Sequence, residues 1–214
     1  YGRMGSPISP MLAGSTFTVT VYLTDRFWNV HSTATMPQVK VVTSDSNDDD
    51  YLQKALTRGT TVFYICMFTA GNPIYDAAPN QHTITVTDNS GYEYAGWSDT
   101  LITLIARPPT RLQLVTPFEQ RDPGTSPTGS GKIVTNPSYQ LTAGNSNFEL
   151  TVYCVDDYWN IDPSEIGTGN LVGIQTPSEP YDNEQQLNLI TSSRSFVLDL
   201  TKARPVGNTL GAVT

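Results

Sequence analysis

Phe17–Val30 reads Phe-Thr-Val-Thr-Val-Tyr-Leu-Thr-Asp-Arg-Phe-Trp-Asn-Val, and Phe148–Ile161 reads Phe-Glu-Leu-Thr-Val-Tyr-Cys-Val-Asp-Asp-Tyr-Trp-Asn-Ile. The second stretch repeats the first in constant register, and Ala13-Gly14 and Ala143-Gly144 lead into the two copies. Phe17, Val19, Val21 and Leu23 share one parity, with Thr18, Thr20, Tyr22 and Thr24 on the other. That period of two predicts a strand with one face buried. Each copy then ends in aspartate, an aromatic pair and asparagine. Asp25 with Asn29, and Asp156 with Asn160, have the chemistry of a turn. An aspartate there accepts backbone N–H groups, and an asparagine tolerates a left-handed backbone. Trp28 and Trp159 recur at one place in the repeat, which favours packing at the end of a sandwich. The same four Asp and Asn side chains are also candidates for a paired cation site.

Outward from the repeat, 214 residues and one internal duplication predict two units of about 100 residues, each able to bury a small core. Helix formers are nowhere gathered at a spacing of 3.6 for more than about two turns. The expected fold class is all-β: two tandem immunoglobulin-like β-sandwiches. The expected boundaries are 1–107, a linker at 108–110 stiffened by Pro108-Pro109, and 111–214.

Strands are expected at about 15–23, 38–43, 61–69, 81–87 and 100–106 in the first unit. In the second they are expected at 111–115, 133–135, 139–141, the repeated strand, 171–176, 186–190 and 195–200. Residues 51–57 suit one helical turn or a strand. Residues 117–131, rich in Pro, Gly, Ser and Thr, read as a long surface loop. The second unit runs short after Leu200, and the first has no counterpart of Arg111–Val115 ahead of its repeat. Two expectations follow: a piece of a longer array, or sheets completed by strand addition from neighbours. The start at Tyr1 suits an internal or processed segment.

The formal net charge is −8, with 12 Lys plus Arg. A phosphate-binding face needs clustered Lys and Arg, so nucleic acid and anionic membrane surfaces are excluded as expected partners. No apolar run approaches the length of a membrane span. Cys66 and Cys154 lie at non-equivalent positions of the two units, and a bond between two strand interiors is sterically unfavourable. No nucleophile elbow, zinc pattern or phosphate loop is present, so no enzyme activity and no cofactor are expected.

Both repeats resemble the bacterial Ig-like, invasin-type domains found in tandem in large surface and secreted proteins. The residues that carry the resemblance are the Ala-Gly lead, the alternating Phe-x-Val/Leu-x-Val strand, and the turns Asp25-Arg26-Phe27-Trp28-Asn29 and Asp156-Asp157-Tyr158-Trp159-Asn160. Family members often have Asp-x-x-Gly-Asn there, so Trp in the glycine place is a departure. The resemblance implies a location outside the cell or on its surface, and a role as spacer, fibre subunit or adhesin. Self-association or contact with neighbouring repeats is the implied partnership.

Other candidates come from residue types. Asp45, Asp48 and Asp50 offer oxygen ligands to calcium, without the spacing of an EF-hand loop; a solvated acidic loop is the alternative. Trp97, in an aromatic Gly91–Trp97 segment, is a candidate for stacking on a glycan. Tyr64 and Phe68 would point outward if Phe63, Ile65 and Met67 face the core, and that surplus apolar face is a candidate interface.

Overall fold

The computed structural model describes residues 10–32, 36–48, 53–72, 74, 79–92, 94–98, 101–137, 141–162, 170–177, 185–201 and 211–213. Strands account for the regular structure, and no helix occurs among the described residues. The chain divides into two compact units: Tyr1–Ala70 with Pro79–Ile105, and Gly71–Ala78 with Ala106–Thr214.

The first unit contains β1 (Met11–Leu12), β2 (Thr16–Tyr22), β3 (Gln38–Thr43), β4 (Lys54–Ala55), β5 (Thr60–Cys66), β6 (Gln81–His82), β7 (Ile84–Asp88), β8 (Trp97–Ser98) and β9 (Ile102–Ile105). The repeated strand β2 pairs antiparallel with β5, Phe17 opposite Ile65 and Val21 opposite Thr61. A second sheet runs β4-β3-β7-β8, and a third sets β9 between β1 and β6, with β1 parallel to β9. Val41, Phe63, Ile65, Met67 and Leu104 form the buried centre. Each such side chain contributes about 1.5–3 kcal/mol through removal from water.

The second unit contains β10 (Arg111–Val115), β11 (Glu119–Arg121), β12 (Lys132–Val134), β13 (Asn145–Val155), β14 (Leu171–Gln175), β15 (Gln185–Asn188), β16 (Ser193–Leu200) and β17 (Gly211–Val213). The other repeated strand, β13, lies between β10 and β16. Strands β15 and β17 flank β14, and β11 pairs with β12. Leu150, Val152, Ile174, Phe196 and Leu198 are the core, with Leu112 and Leu114 of β10 packed against it.

Three expectations change, and one open choice is settled. The strand at 61–69 ends at Cys66, because the N–H groups of Phe68 and Thr69 turn to the Asp45 carboxylate. The strand at 81–87 is two: β6 pairs with β9 and β7 with β3, while between them the Thr83 N–H donates to Ser44 Oγ at 2.9 Å. Residues 54–55 are a strand on β3. The segment at 117–131 is no simple surface loop, for it holds β11 and the buried Arg121. Past Leu200, β17 pairs antiparallel with β14, as β7 does with β3.

Candidate functional site

The two turns that close the repeat have one geometry. Asp25 Oδ1 accepts the N–H groups of Phe27 (2.8 Å) and Asn29 (2.9 Å), while Oδ2 accepts Asn29 Nδ2 at 3.0 Å. Asp156 Oδ1 accepts Tyr158 N–H (2.8 Å) and Asn160 N–H (2.9 Å), while Oδ2 accepts Asn160 Nδ2 at 3.1 Å. The Trp28 N–H donates back to the Asp25 carbonyl, and Trp159 N–H to that of Asp156. Trp28 and Trp159 sit at φ 67° and 66°, the left-handed region that glycine would occupy without strain. The hydrogen bonds from Asn29, side chain first and backbone next, hold the Asp25 carboxyl below its ordinary range. These carboxylates serve the turn, each oxygen facing donors of its own loop.

The turns differ in what covers them. In the second unit, Asp156 Oδ2 also accepts the Arg107 N–H at 2.9 Å. The Trp159 indole N–H reaches the Ser126 carbonyl, and the Arg111 guanidinium lies 5.1 Å from the ring centroid. Buried Arg121 donates from Nε to Gln113 Oε1 at 2.9 Å, and from Nη2 to the Trp159 carbonyl. Its guanidinium also stands over the Tyr153 ring. Gln113 Nε2 donates to the carbonyls of Ser130 and Gly131. Every one of these contacts comes from residues 107–131. In the first unit Phe27 is 66% exposed and Trp28 47%.

The acidic loop after β3 folds inward. Asp45 is 2% exposed; its Oδ2 accepts the N–H groups of Phe68 (2.6 Å) and Thr69 (2.9 Å). Its Oδ1 accepts the Thr69 hydroxyl (2.6 Å) and the Asn47 N–H (3.1 Å). Burial pushes this carboxyl up, yet the Thr69 hydroxyl and the N–H groups of Thr69, Asn47 and Phe68 outweigh it, and the acid sits below its ordinary value. Asp48 accepts the Thr43 hydroxyl, and Asp50 lies outside the described residues. His82, also buried, holds the Thr69 carbonyl at 2.7 Å. Both Asp45 oxygens thus face protein donors. Among the described residues no three His, Cys, Asp or Glu side chains gather as a metal group.

Phe63, Ile65 and Met67 face the core; Tyr64 is 66% exposed and Phe68 half-buried. Trp97 pairs through its backbone with Val86, and its side chain lies outside the described residues. On the same hairpin, the exposed rings of Tyr92 and Tyr94 stand 6.0 Å apart, above a turn in which Asp88 accepts from Ser90 and Tyr94. Arg121, Gln113 and the Arg107 N–H went unnoticed in the sequence, because a buried Arg in a segment of loop composition leaves no periodic trace. No helix among the described residues is long and apolar enough to cross a membrane. No protein-family model matches the chain, and no curated protein is significantly similar to it.

Proposed function

We propose that the chain is a non-enzymatic structural segment, two tandem Ig-like sandwiches, acting outside the cell or on its surface as a repeat spacer or fibre subunit. The observation that carries this reading is the duplicated strand and aspartate turn, each copy built into its own compact all-β unit. Rigid sheets on a proline-bearing connection transmit position rather than chemistry. The polar groups the fold collects at the turns and at Asp45 are engaged with backbone donors, which builds a scaffold. The test is mass, denatured and then native, on material isolated from the producing cells. A chain well above 23.4 kDa, or large native assemblies of a 23.4 kDa chain, is expected. A 23.4 kDa monomer under both conditions contradicts the reading.

A second reading is an adhesin module that binds carbohydrate or protein, favoured by the exposed Tyr92–Tyr94 pair. Aromatic faces of this kind suit stacking on sugars. Loss of glycan-array binding in Trp97→Ala with assembly intact would select it.

A further inference from the structure

From the geometry we infer that the first unit carries an acceptor site for an added strand along the outer edge of β2. Its occupant is an extended segment of the Arg107–Val115 kind, supplied by another repeat. The duplication provides the comparison. In the second unit the repeated strand β13 is paired on both edges, by β16 on one side and β10 on the other. In the first, β2 is paired only with β5 among the described residues. The Leu23 N–H donates to the Gly59 carbonyl at 2.8 Å, on the β5 side. By the period of two, the N–H groups of Thr18, Thr20 and Tyr22 then face the opposite edge, where no described residue accepts them. The counterparts of Thr20 and Tyr22, Thr151 and Tyr153, lie opposite Val115 and Gln113.

Two further differences fall on the same edge. Phe148, Leu150 and Val152 are buried in the second core, with Leu112 and Leu114 packed there from β10. Phe17, Val19 and Val21, their counterparts, are only partly buried. At the turn, Asp156 Oδ2 takes both Asn160 Nδ2 and the Arg107 N–H, whereas Asp25 Oδ2 takes Asn29 Nδ2 alone among the described residues. Amides and a carboxylate oxygen without a further described partner, together with a half-covered apolar row, line up in the order in which Arg107, Leu112 and Leu114 would meet them. The occupant is therefore antiparallel to β2, with its N-terminal end at the Asp25 turn and leucines on alternate positions. Main-chain pairing supplies affinity and the leucines supply register. The site names the partner through which the assembly proposed above would form, and it rests on that reading for its biological role.

The experiment adds a synthetic peptide of residues 106–117 to the intact chain and follows amide exchange residue by residue. The expected result is saturable binding that slows exchange at Thr18, Thr20 and Tyr22 by about tenfold or more. A peptide with Leu112→Ser and Leu114→Ser should lose that effect, and Asp25→Ala should weaken it. Three results would overturn the site: no protection at about 1 mM peptide, equal protection by the serine peptide, or protection confined to 145–155 through exchange with the chain's own β10. A chain that binds the peptide at β2 yet never assembles would keep the site and sink the fibre reading. One that assembles without β2 protection would do the reverse.

Discussion

Thr69 holds Asp45 twice, through its backbone N–H at 2.9 Å and its hydroxyl at 2.6 Å, across the gap between the end of β3 and the chain beyond β5. With Phe68 and Asn47 the carboxylate gathers four donors in a nearly water-free site. Just past the end of β5, it takes the N–H groups of Phe68 and Thr69 that a longer strand would have paired.

Asp45→Ala should therefore cost the first unit about 2–4 kcal/mol, since buried donors lose a charged acceptor. Chemical denaturation of variant and parent measures the difference. The acid dependence has a definite sign. The native carboxyl lies below its ordinary value of 3.8, so the stabilisation is complete above that value and fades as pH falls through the native value. Asp45→Asn should flatten the stability curve below about pH 4, while a curve of unchanged slope would count against the arrangement.

Gly131 stands at φ +65° with its Cα against the Trp159 ring, and an added Cβ would overlap the indole. Gly131→Ala should destabilise the second unit by about 1–3 kcal/mol, through backbone strain and displacement of the ring. Tryptophan fluorescence should shift with it. Gly91, also at positive φ, has nothing within reach of a Cβ, so Gly91→Ala isolates the backbone cost and should be the milder change.

The alternation of Phe17–Leu23 and Phe148–Val155 made both repeated strands legible, because burial of one face writes itself into residues two apart. Val39–Thr43, Arg111–Val115 and Ser195–Leu200 were legible for the same reason. What covers the turns was not. Residues 117–131 have the composition of a loop, and their order comes from Arg121 reaching the Gln113 side chain and the Trp159 carbonyl, contacts that carry no period. Nor did the acidity of the Asp45 loop reveal that its first carboxylate turns inward; Asp45 and Asp48 read alike until Thr69 is beside one of them. Trp28 and Trp159 both take a left-handed φ that glycine would adopt without strain, a conformation that their residue type does not announce.

Arg121→Lys tests whether the cover on the second turn depends on a forked donor. A lysine has no planar pair of N–H groups to span Gln113 Oε1 and the Trp159 carbonyl. The substitution should cost about 2 kcal/mol in the second unit and leave the unfolding of the first unchanged. A neutral result would mean the guanidinium contacts are incidental.

One strand is built twice: among the described residues it is paired on both edges in the second unit and on one edge in the first. Amide exchange of the intact chain, without any added partner, tests this most directly. Thr151 and Tyr153, facing β10, should exchange slowly, while their counterparts Thr20 and Tyr22 should exchange at least about a hundredfold faster. Equal protection of the two pairs would show that the edge of β2 is already filled, and would contradict the account.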